Sequence, residues 1–303
     1  MNNDETNVID PKKIIAVNTL TFKQKLMSYF KKPLSLIILL LILAAAAITT
    51  VSLIFIVVYI LIKGVPNISL DLFSLEYNSE NVSLLPAMIN TITMTFVSLL
   101  IAVPFGIFSA IYLVEYAKRG NKLVGIIRIT AETLSGIPSI VYGLFGYLLF
   151  VVALGWGYSM LAGAITLAIM ILPLIMRTTE EALKAVPDSF REGSFGLGAG
   201  KLRTVFKIVL PSAVPGIIAG VILGIGRIVG ETAALIFTSG TMPVVPNDLM
   251  SSGRTLSVHM YVLASEGLHV DKSYATAVVL LVIVVGINAF SNIIAKKISK
   301  GKS

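Results

Sequence analysis

Two ionisable residues stand inside an otherwise apolar run, Arg227 and Glu231 in GVILGIGRIVGETAALIFT. Charged side chains at membrane depth are costly, so they face a cavity, a transport path or one another. Wound as one helix at 100° per residue, Gly216, Gly220 and Gly224 share an arc of about 80° with both charges. The pair then lies on a small-residue stripe that permits close helix approach. Two chemistries are open to it. Arg227 offers a planar fork of donors to a tetrahedral oxyanion, while Glu231 neutralises it at rest or accepts from a protonated phosphate oxygen. Alternatively the two form a salt bridge that locks helices together, with the glycines serving packing alone. Arg before Glu at i,i+4 is the weaker order for helix stabilisation, which favours the anion path.

Other chemistries find no residues to carry them. GLGAGK, from Gly196 to Lys201, has the look of a phosphate loop, but Phe195 stands where the pattern needs its first glycine and Leu202 where it needs Ser or Thr. Nucleotide handling is therefore expected on a separate subunit. His259 and His269 share no ligand spacing with Cys or a third His and read as surface residues, so no metal or other cofactor is expected. No nucleophile elbow or catalytic spacing points to an enzyme.

The elements that must position these residues are set by hydropathy. A mean of +0.90 with 56% apolar residues predicts an all-α, polytopic membrane protein. Six spans are expected: 33–62, 84–116, 130–154, 160–176, 208–238 and 274–295. Pro138, Pro104 and Pro173 are expected to interrupt the third, second and fourth of them. With the N-terminus inside, 20 of the 24 Lys and Arg fall on the cytoplasmic side and only Lys63, Arg254 and Lys272 outside. The net charge of +8 is thus a topology signal with attraction to the lipid bilayer as a second effect, and nucleic acid is not an implied partner. Cysteine is absent, which removes disulfide and thiolate chemistry.

Residues 1–33 form a basic cytoplasmic segment in which Phe22, Leu26 and Phe30 suit either a surface helix or a plain basic flank. Residues 34–62 read as an uncleaved anchor, 84–295 as the core, and 296–303 as a cytoplasmic tail. Between the fourth and fifth spans lies a charged loop, 178–207. Glu180 to Val186 predicts a short helix that Pro187 ends. Ser189 with Glu192 gives a capping box for a second helix, and Gly198 and Gly200 suit its end. Phe190, Phe195 and Leu197 are then apolar groups awaiting a partner or folding back on the spans.

Glu192, Gly193 and Ser194, three residues, Gly198, nine residues and then Ile208-Val209-Leu210-Pro211 together resemble the EAA signature of prokaryotic ABC-transporter permeases. That resemblance implies a type I ABC-importer permease architecture and a helix that seats in an ATPase subunit, with Phe190, Glu192, Gly193, Ser194, Phe195 and Gly198 at the contact. Three further runs, ETLSGIPSIVYGLFG from Glu132, GRIVGETAALIFTSG from Gly226 and LSVHMYVLASEG from Leu256, are similar to the A-type permease subunits of phosphate-specific ABC transporters. Ala233 and Ala234 stand after Gly-Glu-Thr where the C-type sister has Met. The likeness extends from about Leu84 to the C-terminus. It implies inorganic phosphate as cargo, Arg227 and Glu231 in the path, and Arg177 as a further path residue at the cytoplasmic end. The partners it implies are a C-type permease, a dimer of ATPase subunits and an extracytoplasmic phosphate-binding protein, in the plasma (inner) membrane of a prokaryote with both termini cytoplasmic. A permease for sulfate, molybdate or tungstate would keep the docking loop. A secondary anion transporter would lack it and show inverted repeats.

Overall fold

The computed structural model describes residues 33–118 and 120–300, and helix is the only regular structure among them. The surface-helix expectation for the basic N-terminal segment lies outside the described residues. The chain divides after Tyr59 into two units. The first is most of α1 (Pro33–Gly64), whose apolar side chains are exposed along its length and whose first charge is Lys63. At about 1.5 Å per residue it exceeds the ~30 Å hydrocarbon core, so it reaches across with length to spare.

The second unit is built around α5 (Met160–Lys184), which packs on α2 (Leu85–Ile111) and on α8 (Leu210–Val229). Small residues make both approaches possible. Ser98 donates to the Ala164 carbonyl at 3.0 Å, and a Cβ on Gly106 would collide with Ile175. Gly216 and Gly220 meet Ala182 and Thr178 of α5 in the same way. The glycine stripe is thus spent on the α5–α8 contact. Helices α2 and α5 run unbroken through Pro104 and Pro173, contrary to the expected interruptions. Among the described residues five helical stretches are long and apolar enough to cross a membrane, and a bent pair supplies the sixth.

That pair replaces the straight third span. α3 (Lys122–Ser135) and α4 (Ser139–Gly146, extended by a π-turn to Ala153) meet at 102°. Pro138, which has no N–H to continue α3, occupies the N-cap of α4. The Tyr142 hydroxyl closes the elbow by donating to the Leu134 carbonyl at 2.7 Å.

The loop after the fourth span is shorter than 178–207. α5 carries on through Lys184 with no separate helix at Glu180, and helix resumes at Lys201 as α7 (Lys201–Thr204), a π-turn (Val205–Val209) and α8. Only 185–200 lies outside, holding α6 (Asp188–Gly196). On the opposite end α9 (Ala233–Thr238) leads to a folded loop, then α10 (Leu256–Glu266) and α11 (Val270–Lys300). Asn90 of α2 ties the loop down, donating to the carbonyls of Val244 at 2.9 Å and Arg254 at 3.1 Å.

Candidate functional site: a broken helix and a docking helix

The fifth span is not one helix. α8 stops at Val229, Gly230 caps it, and α9 starts at Ala233. Glu231 lies in the break, so the helical wheel that aligned it with Arg227 fails beyond Gly230. Its carboxylate accepts from the Ala234 N–H at 3.1 Å, at the positive end of α9, and is buried at 8% exposure. Ser257 of α10 donates to the Glu231 carbonyl and ties the break to the neighbouring helix.

Arg227 occupies the last turn of α8, where the helix dipole favours a cation. It is half-buried and forms no ion pair or side-chain hydrogen bond among the described residues. The α4 arm of the bent pair packs on α9, just past the break. α4 and α9 are in close contact there: a Cβ on Gly143 would strike the Ala234 backbone, and one on Gly146 would strike Thr166 and Thr238. Arg227 thus stands within a turn of the break at 230–232, and the helix beyond that break packs on α4.

Arg177 is not part of that group. It is exposed on α5 and pairs with Glu181 at 3.1 Å. Gly224 of α8 meets Ile171 and Ile175, so Arg227 stands at least about 9 Å of helix rise from Arg177. Arg177 instead lines a separate 480 Å³ cavity with Glu132 and Thr178. Nearby, the buried Glu180 holds Arg128 of α3 at 2.8 Å and Lys184 at 2.6 Å.

The docking residues are brought together. Pro187 caps α6 directly, so the helix begins at Asp188 and the Ser189–Glu192 capping box is not formed. Phe190, Glu192, Gly193, Ser194 and Phe195 lie on α6, and Gly198 turns the chain out at φ +81°. Ser194 meets Thr204 at 2.8 Å, oxygen to oxygen. Phe190, Phe195 and Leu197 are 50%, 47% and 91% exposed, and Phe190 shares a cavity wall with Ala182 of α5 and Ser212 of α8. A residue that sequence reasoning missed anchors this helix. Arg191 bonds Glu115 of the π-turn after α2 through Nη2 at 2.8 Å and Nε at 3.1 Å, and donates to the carbonyls of Val186 and Leu183. Its partner is 76 residues away, and no local pattern announces it.

His259 is wholly buried, which overturns its reading as a surface residue. It stands edge-on to Tyr77, whose ring also carries the buried Arg254 guanidinium at 4.8 Å from its centroid. Burial, and then the nearby Arg254, push the His259 imidazole down to about 3. Burial also lowers Arg254, with Tyr77 opposing. No cluster of three or more His, Asp or Glu side chains among the described residues is arranged to hold a metal ion.

Residues 102–302 match the family model described as "Binding-protein-dependent transport system inner membrane component". The chain is 36% identical over 228 residues to the "Probable ABC transporter permease protein YqgI" of Bacillus subtilis (strain 168), covering 70% of this chain and 77% of that one. It is 37% identical over 243 residues to the "Phosphate transport system permease protein PstA" of Pasteurella multocida (strain Pm70), covering 78% and 86%. In fold it is similar to a chain of a bacterial alginate ABC transporter crystallised with an alginate-bound periplasmic protein, at TM-score 0.67 and 16% identity, covering 90% of this chain and 98% of that one.

Proposed function

The chain belongs to the binding-protein-dependent transport system inner membrane component family, and from that premise we propose that this ABC-importer permease carries inorganic phosphate. It supplies half of the translocation path, and a C-type permease supplies the other half. The observation that carries the reading is Arg227: a guanidinium without an ionic partner among the described residues, held at a helix end within a turn of a chain break. A planar fork of donors in that state suits a tetrahedral oxyanion better than a neutral cargo. The phosphate-transport names of relatives above one-third identity support phosphate as that oxyanion. Arg177 serves the same path as a later way-station.

Energy enters through α6. Its exposed Phe190 and Phe195, the open space over Gly193 and the left-handed Gly198 suit insertion into a groove of a separate ATPase subunit, present as a dimer. The folded 239–255 loop at the opposite end receives an extracytoplasmic phosphate-binding protein. Both termini are cytoplasmic, following the cation asymmetry.

Copurification of the importer from its host, followed by ligand analysis of the accompanying binding protein and uptake of labelled phosphate, tests this reading. Uptake that excess phosphate suppresses and excess sulfate or molybdate leaves intact is expected. Suppression by sulfate or molybdate at equal concentration would replace phosphate with that oxyanion.

A further inference from the structure

The end of the molecule opposite α6 holds a buried cation without a counter-ion. Arg254, two residues before α10, is 4% exposed, and its Nε and Nη2 atoms have no hydrogen-bond partner among the described residues. No carboxylate among them pairs with it, and Glu266, at the far end of α10, acts on it only as the least of several influences. The face of the guanidinium lies on the Tyr77 ring, which leaves the Nε–Nη2 edge, the fork that matches two oxygens of one anion, unspent. A buried charge is costly until an opposite charge meets it, so this arrangement favours an anion.

A second side chain points to the same ligand. His259 is wholly buried, and neither of its ring nitrogens has a hydrogen-bond partner among the described residues. Tyr77 stands edge-on to this imidazole while lying over Arg254, so one ring covers both groups. A neutral imidazole offers one N–H and one lone pair. With the guanidinium edge, that makes three donors and one acceptor, the complement of a tetrahedral oxyanion that still carries a proton. Hydrogen phosphate can give its hydroxyl to the lone pair, whereas sulfate has none to give. Thr255, at the N-cap of the 11-residue α10, turns its hydroxyl to Ser257 and caps no amide, so the positive end of that helix adds to the field. The acidic side chains of the covering segment, Glu76 and Glu80, are exposed and screened by solvent.

We propose that Arg254 and His259 form an outer binding site for hydrogen phosphate, covered by Tyr77, which the cargo occupies before it reaches the break beside Arg227; the site rests on the phosphate reading above and adds a second station to it. Tyr77 is half-buried, and a swing of its ring opens both groups to the extracytoplasmic side and makes room for the anion. The segment that carries it is folded by Asn78 and Asn81, and closed by the Val82 N–H on the Asn78 carbonyl at 3.0 Å. Val82 is held at φ +48°, a strained state for a β-branched residue, so the cover is closed at a cost. With the anion bound, the ring recloses over it. Inward, Ser257 donates to the Glu231 carbonyl and joins the site to the break.

The test is equilibrium binding of labelled inorganic phosphate to the assembled membrane complex in nanodiscs, for wild type, Arg227→Gln, Arg254→Gln and the double variant. Arg227→Gln should retain a site that the further change Arg254→Gln weakens by about tenfold or more. Excess sulfate should leave most of that site filled. Phosphate binding that Arg254→Gln leaves intact, or no binding in Arg227→Gln, overturns the outer site and leaves the Arg227 reading standing. Binding at Arg254 together with full uptake by Arg227→Gln would support the outer site and sink the Arg227 reading instead. Displacement by sulfate as complete as by phosphate refutes the part given to His259. Hydrogen exchange of the wild-type complex covers the case in which Arg254→Gln fails to assemble. Amides of residues 76–83 should exchange several-fold more slowly in phosphate than in sulfate, and equal rates refute the proposal.

Discussion

Arg227 and Glu231 are four residues apart in an apolar run and yet do not pair, because α8 ends between them and each charge is served by its own helix end. Arg227 sits at the negative end of α8, and Glu231 caps the positive end of α9. The salt bridge that the sequence left open is not formed among the described residues, where the Glu231 carboxylate instead accepts from the Ala234 N–H.

The energetic consequence is near-independence of the two residues. Glu231→Gln should cost about 0.3–1 kcal/mol through the weakened cap. The double variant with Arg227→Gln should show a coupling below about 0.5 kcal/mol in the thermal stability of the purified complex. A buried ion pair would instead strand its survivor at a cost of about 3–5 kcal/mol.

The docking helix yields two separable outcomes. Gly198→Val forces a β-branched residue to φ +81° and should cost about 1–2 kcal/mol locally. ATPase copurification should fall while membrane insertion stays intact. Arg191→Ala leaves Glu115, 9% exposed in its side chain, without its cation, at about 3–5 kcal/mol. Limited proteolysis should then cut within 185–200, and wild-type resistance would show that the pair does not hold α6.

His259 gives a pH signature. Its folded-state value of about 3 lies below the ordinary 6.5, so the unfolded chain binds more protons throughout that window. Stability is therefore full above about 6.5 and falls as pH drops towards 3, by at most about 1.4 kcal/mol per unit. His259→Gln should flatten the melting temperature between about pH 5 and pH 7. An unchanged slope would assign the acid sensitivity to other groups.

Much of this was legible in the sequence because its signals are local. Long apolar runs mark the spans, Pro187 stops a helix, and Gly198 ends one. The bend at Pro138 was legible as an interruption, but not its 102°, since Tyr142 and its contact with Leu134 arise only on folding. Gly-Glu-Thr at 230–232 sits inside a continuous apolar run, so a helical reading carries straight through it. A glycine that can cap followed by two residues that can start a helix was the signal to weigh. Pro104 and Pro173 misled in the other direction, since neighbouring helices in a packed bundle tolerate the lost hydrogen bond. The Arg191–Glu115 bond and the burial of His259 depend on residues far away in the chain, which no periodicity encodes.

Orientation has a direct check, since the chain has no native cysteine. A cysteine at Asp248 should react with an impermeant reagent in intact cells, and one at Lys300 should be protected. The reverse pattern would invert the proposed topology.

The central claim is that Arg227 lines the anion path, and the measurement that meets it most directly is labelled-phosphate uptake by Arg227→Gln, normalised to the amount of assembled complex. Glutamine keeps length and polarity but removes the charge and the two-pronged donor geometry. The account predicts uptake reduced by about two orders of magnitude or more at wild-type complex yield, with Arg227→Lys restoring part of it because an ammonium supplies charge without the fork. Wild-type uptake by Arg227→Gln, or a loss that follows complex yield alone, would contradict it.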